Sequence, residues 1–250
     1  MILSTHHCIT ASLLLFLAGC AATTGDGAPP PAGNTPYTAR GNEPGWSLTV
    51  GADRLTLVTG YGQRTVVVPL PGKQVLAGDA YRYAARTEAH TLRVHVRRQV
   101  CRDTMTGVPY PDIVAVIVDQ ERPLAGCGGA PESLLHGTWA VESVDGAAAA
   151  EKARATLDFR PDGRLGGRAF CNSYSTGYAV TGEGLRVNGA IAATRMACPP
   201  PLMRQETEFL QILGGVTAHD IRPDGALVIT GAGGRAIVAR RTAADGGGKR

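Results

Sequence analysis

Residues 193–203 read Ala-Thr-Arg-Met-Ala-Cys-Pro-Pro-Pro-Leu-Met, ATRMACPPPLM. An apolar segment ends at Cys198, and three prolines then lead into Leu202. Proline is tolerated in the first turn of a helix, where the amides have no intrahelical acceptor, so the run reads as a strand-to-helix junction. Beyond it Leu202, Phe209, Leu210 and Leu213 can share one helical face, with Glu206 at the polar edge of the stripe and Gly214-Gly215 as the stop. Cys198 at such a junction is a nucleophile, a metal ligand or half of a staple. The compartment decides which.

The N-terminus reads MILSTHHCITASLLLFLAGCAA. Its apolar run, Ile9 to Ala18, falls short of the roughly 20 residues a membrane-spanning helix needs. A short apolar core followed by small residues is the pattern of a secretory leader. Leu17-Ala18-Gly19-Cys20 resembles the lipobox of bacterial lipoproteins. That resemblance implies a signal peptide over 1–19 and lipid on Cys20. Ala21 is not the aspartate that typically retains a lipoprotein in the inner membrane, so the expected location is the outer membrane, lipid-anchored and facing the periplasm. Residues 20–39, rich in Ala, Thr, Gly and Pro, have little apolar bulk to bury and read as a tether.

Of six cysteines, Cys8 leaves with the leader and Cys20 takes lipid, so Cys101, Cys127, Cys171 and Cys198 remain. An even set in an oxidising compartment points to disulfides. Four cysteines allow three pairings, and locality in sequence favours Cys101–Cys127 with Cys171–Cys198. A zinc site needs close cysteine spacing with histidines nearby. No two mature cysteines are that close, and His90, His95, His136 and His219 are scattered. No metal and no cofactor is expected.

Both halves of the folded part read as β-rich. Ser47–Val50, Leu55–Val58 and Thr65–Val68 are strand-like and separated by turn signals. In residues 91–97, Leu92, Val94 and Val96 alternate with Arg93, His95 and Arg97, which places the first three inward. Ile113–Val118 is a continuous apolar strand. Arg93, Arg97, Arg98 and Arg102 form a basic cluster, read as a solvated strand face or a surface for an anionic envelope partner. At a net charge of +4 no nucleic-acid footprint is evident.

Three blocks, GNEPGW (41–46), CRDTMTGVPYPD (101–112) and GCGG (126–129), occur in an order that resembles an uncharacterised domain of proteobacterial envelope lipoproteins. Gly107, Pro109 and Pro111 suggest an ordered turn inside the first disulfide loop, where Asp103, Tyr110 and Asp112 form a hydrogen-bonded turn or a polar site.

From residue 135 the features are LxGTW (135–139), LxFxxDG (157–163), CNxYxxxY (171–178), TRMAC (194–198) and ExxFL (206–210). In this order they resemble the META domain (HslJ-like) family. That resemblance implies a β-sheet or partial barrel with one or two packed helices. Phe170 departs from the family, many members of which carry glycine before Cys-Asn. The two R-P-D-G segments (160–163 and 222–225) read as turns. Asn172, Tyr174, Thr194 and Arg195 flank the second cysteine pair and are a candidate binding surface, or else hydrogen-bonded support for the staple.

The expected fold class is thus mainly β, with α+β character in the C-terminal domain. The expected domains are residues 40–130 and 133–241, with a disordered tail over 242–250. No catalytic motif such as GxSxG or HExxH occurs. The expected function is that of a non-enzymatic outer-membrane lipoprotein acting through an envelope protein, cell-wall or ligand partner, and the family resemblance implies a role in envelope stress or antibiotic tolerance. The alternatives are an inhibitor of a lysozyme-like hydrolase and a cell-wall-acting enzyme.

Overall fold

The computed structural model of the chain describes residues 36–150 and 155–242. The leader with Cys8, Cys20, the tether up to residue 35 and the tail from 243 lie outside the described residues.

Residues 37–128 form one antiparallel sheet. Its strands are β1 (Tyr37–Asn42), β2 (Gly45–Val50), β3 (Arg54–Thr59), β4 (Arg64–Pro69) and β5 (Gln74–Leu76), then β6 (Ala80–Arg86), β7 (Thr91–Arg102), β8 (Pro109–Val118) and β9 (Leu124–Gly128). They lie in the order β4-β3-β2-β1-β9-β8-β7-β6-β5. The expected inward set holds, since Leu92, Val94 and Val96 are buried. They share one apolar cluster with Leu48, Leu57 and Val66 from the other end of the sheet, so the sheet curls onto its own inner face. β1 begins at Tyr37, three residues inside the stretch read as tether.

The second sheet contains β10 (Gly137–Val144), β11 (Ala147–Ala148), β12 (Thr156–Phe159), β13 (Arg164–Ala169), β14 (Asn172–Thr181) and β15 (Gly184–Ala193). After the helix α1 (Pro200–Gly214) come β16 (Val216–Ile221), β17 (Leu227–Gly231) and β18 (Ala236–Arg241). The order is β15-β14-β13-β12-β10-β18-β17-β16, with β11 beside β10. The outer strands approach closely, because a Cβ on Gly184 of β15 would lie 2.7 Å from the Thr217 carbonyl of β16. Inside this near-barrel sit Trp139, Phe159, Leu185, Phe209 and Ile229. α1 is the one α-helix among the described residues, and it seals the curl with Phe209, Ile212 and Leu213.

Several local readings change. Pro109 and Pro111 lie in β8 rather than in a turn. β9 pairs with β8 only from Asp112 onward, and β7 has a bulge between Arg98 and Cys101, so neither proline breaks a continuous ladder. Both R-P-D-G segments are turns, with Gly163 and Gly225 at φ +79° and +82°. The chain at Phe170 takes the left-handed conformation a glycine would take, with φ +63°. That conformation costs roughly 1–2 kcal/mol. The fully buried ring stands edge-on to Phe209 at 6.2 Å, and truncating a buried phenylalanine costs about 3 kcal/mol or more, so packing wins.

The two sheets meet in a small junction. Val180 of β14 packs on Val108, Tyr110 and the first disulfide. Arg102 spans the same boundary, with Nε and Nη2 donating to Asp220 at 3.0 Å each and Nη2 also to the Ile221 carbonyl. Arg102 therefore does not belong to a basic cluster with Arg93 and Arg97.

Candidate functional site

Both cysteine pairs are bonded, Cys101–Cys127 at 26 residues' separation and Cys171–Cys198 at 27. The polar residues singled out in the sequence gather around these two staples.

Around the second staple the centre is Asn172, and it is buried. Its backbone N–H donates to Glu206 Oε2 and its Nδ2 to Glu206 Oε1, each at 2.8 Å. Its Oδ1 accepts from the Thr194 hydroxyl at 2.8 Å and from the Met196 amide at 2.7 Å. Asn172 thereby fastens β14 at once to the segment before the prolines and to α1. Glu206 is not at the polar edge of the helix. It lies on the buried face, because Asn172 supplies it with two donors there.

Tyr174 is also buried and donates its hydroxyl to the Thr156 carbonyl at 3.0 Å. Burial holds its phenol well above the ordinary range. Tyr174 is a core residue and not part of a surface, which corrects the sequence reading. Tyr178 behaves alike, donating to the Arg160 carbonyl at 2.9 Å. Of the proposed surface, Thr194 and Arg195 are exposed. The CNxYxxxY and TRMAC motifs thus encode a hydrogen-bonded clasp. Replacing Glu206 by Gln turns one acceptor into a donor facing a donor, and urea titration is expected to register a loss of about 2 kcal/mol.

The first staple is built from the three blocks GNEPGW, CRDTMTGVPYPD and GCGG. β1 pairs with both β2 and β9, which brings the first and last blocks together. The Trp46 Nε1–H donates to the Ala125 carbonyl at 3.1 Å. Gly126 is required there, because a Cβ would fall 2.0 Å from the Arg40 carbonyl. On the outer face, over Cys101–Cys127, lies a cavity of about 640 Å³ lined by Arg40, Asn42, Glu43, Arg102, Asp103 and Met105 among others.

Asp103 closes its own turn. One oxygen accepts from the amides of Met105 and Thr106, each at 2.9 Å, from the Thr106 hydroxyl and from Asn42 Nδ2. Burial alone would raise its pKa, but these donors outweigh it and hold the carboxyl below the usual range. Tyr110 makes no hydrogen bond to Asp103 among the described residues, although the Asp103 charge acts on its phenol. It is buried in the junction with Val180, and the Arg40 guanidinium lies 5.5 Å from its ring centre. Asp112, third of that trio, points to the inner face with Val114, Val116 and Val118.

A glycosidase-like pair requires one carboxyl held protonated. In the outer cavity Asp103 is held below the usual range, the opposite of what that role needs. Among the described residues no group of three or more His, Cys, Asp or Glu is placed to hold a metal. No described helix is long and apolar enough to cross a membrane.

A β-curl sealed by one helix and clasped through Asn172 and Glu206 defines the second half of the chain as a disulfide-stapled β unit. Residues 132–244, in the C-terminal half, match the family model of the META domain. The sequence motifs pointed to the same family. Comparison with curated proteins gave no match. Among solved structures, an NMR structure of a protein from Burkholderia xenovorans is similar at 25% identity over 44% of this chain and 86% of that one, with a TM-score of 0.38.

Proposed function

We propose that the chain is a non-enzymatic lipoprotein of the bacterial outer membrane, anchored through Cys20, whose two stapled β units bind an envelope partner or ligand. The observation that carries this reading is the cysteine distribution. The four cysteines of the described residues are consumed in two disulfides, which persist in oxidising compartments. Outside them and the leader, the cysteine that remains is the one in Leu17-Ala18-Gly19-Cys20. The META domain and the likeness of the first half to envelope lipoproteins support the same location. A role in envelope stress or antibiotic tolerance belongs to this reading. The clasp around Asn172, with every donor and acceptor matched internally, supports a structural scaffold over a catalytic centre.

The test is metabolic labelling with an alkyne fatty acid in a bacterial host, followed by membrane fractionation. Wild type is expected to carry the label and sediment with the outer membrane. Cys20→Ala is expected to lose both. Label retained in Cys20→Ala, or unlabelled soluble wild type, would overturn the anchor. Crosslinking of the anchored wild type in envelope extracts then identifies the partner.

A further inference from the structure

The curled first sheet has a mouth that none of the readings above uses. A cavity of about 630 Å³ opens there, walled by Tyr37, Tyr81, Arg98, Asp112 and the linker around Ser133. The strand registers explain the gathering. Tyr37 continues the inward face of the buried Ala39 on β1, and Tyr81 stands opposite the buried Val96. Arg98 stands opposite Asp112, which ends the buried row Val118, Val116, Val114. Directly opposed residues of an antiparallel pair project to the same face.

The GCGG block makes room for this arrangement. A Cβ on Gly128 would lie 2.3 Å from the Tyr37 hydroxyl oxygen. One on Gly129 would collide with Pro111 and stand 3.3 Å from an Asp112 carboxylate oxygen. These glycines therefore leave room for a phenol and a carboxylate beside the cavity at the end of an apolar core.

The charges are layered. Asp112 is buried, 7% exposed, and is the one carboxylate lining the cavity among the described residues. Its burial raises its pKa, against the opposing pull of Tyr37, Arg98 and Lys73. The Tyr37 hydroxyl is buried beside it, within reach of the Asp112 carboxylate and of Tyr81. Burial, then the nearby Asp112, push that phenol well upward. At the rim are two exposed cations, Arg98 and Lys73, the latter with Nζ 3.9 Å from the Tyr81 ring centre. Neither forms an ion pair among the described residues.

We propose that this mouth binds a small zwitterion, a free amino acid or an amino-acid-like end group, with its ammonium against Asp112 and Tyr37 and its carboxylate toward Arg98 and Lys73. The alternatives each leave one layer unmatched. A simple amine meets repulsion from Arg98 and Lys73, and a simple carboxylate meets Asp112. A neutral sugar leaves the rim cations unused. A zwitterion satisfies the deep acceptors and the outer donors together. The site is separate from the lipid anchor, so its failure leaves the anchoring result untouched.

The test is an NMR titration of the oxidised full chain with D-alanine and L-alanine, with methylamine, acetate and N-acetylglucosamine as comparators at matched ionic strength. Saturable shifts in the millimolar range are expected for an alanine enantiomer at the amides of Tyr37, Tyr81, Arg98 and Gly129, and for none of the comparators. Tyr37→Phe keeps the ring and its packing, so it is expected to fold. It should nevertheless weaken the alanine titration by about tenfold, the worth of one lost hydrogen bond to a charged group. Asp112→Asn should abolish it. Absence of saturation with both alanines, equal saturation with a comparator, or wild-type binding by a well-folded Tyr37→Phe each overturns the proposal.

Discussion

Reduction of both disulfides is expected to bring the folded part to the edge of unfolding at neutral pH. Cys101–Cys127 and Cys171–Cys198 span 26 and 27 residues. The chain-entropy argument gives about 3.5 kcal/mol for each loop, or about 7 kcal/mol together. Native domains hold roughly 5–15 kcal/mol in all. Losing both staples thus removes a large share of the total, while losing one leaves a cooperative fold. Cys127 and Cys171 are buried, so alanine is the suitable replacement, because a serine hydroxyl there would add its own penalty. Urea titration of the Cys171→Ala/Cys198→Ala chain, and of wild type with and without reductant, measures both steps. A midpoint unmoved by full reduction would mean that the unfolded chain is already as confined as the staples make it.

Acidification below about pH 6.5 is expected to weaken the fold, and His219 is the cause. On β16 it stands opposite Ile229, so its ring points into the core of the second sheet. It is 5% exposed, and neither ring nitrogen has a partner. Burial lowers its pKa from 6.5 to about 4, against a smaller upward pull from Asp220. The unfolded chain takes up this proton below about pH 6.5, while the folded chain resists until about pH 4. Within that window the unfolded state binds more protons, so stability falls as pH falls and is fully present above 6.5. A shift of this size is worth about 3 kcal/mol. His219→Leu should flatten stability between pH 6.5 and 4 and raise it at pH 5, as read by urea midpoints across pH. A variant that keeps the wild-type slope would assign the acid sensitivity elsewhere. Below that window Asp103, Asp119 and Asp224, all held below their ordinary values, lose their native-state advantage as they protonate.

How far the sequence foretold this molecule depended on the range over which each interaction acts. The alternation at Leu92, Val94 and Val96, the R-P-D-G turns and the start of α1 after Pro199 are set by neighbours a few residues apart, and all are present. Glu206 was misplaced because periodicity ranks a carboxylate as an edge residue. Its donors come from Asn172, 34 residues earlier, and nothing local announces them. Pro109 and Pro111 read as turn formers, and only the pairing of β7, β8 and β9 shows that the ladder is open beside them. The mouth of the first sheet was half visible. Asp112 and the glycines of GCGG stood in conspicuous motifs, but Tyr37, Tyr81 and Arg98 arrive from three other strands with no signature of their own. Tyr37 was even assigned to the tether, since the residues before it are too polar to suggest a strand.

The free edges of the first sheet bear on how this chain behaves at high local concentration. An unpaired edge strand invites a neighbouring molecule to add its own strand, the first step toward aggregation. Here one edge, β5, is three residues long and follows Lys73, and the other, β4, ends at Pro69 with Pro71 just beyond. Neither offers a long run of free amides. Molecules crowded together on a surface would thus find little backbone to zip onto, even with Val67 and Val75 exposed beside those edges.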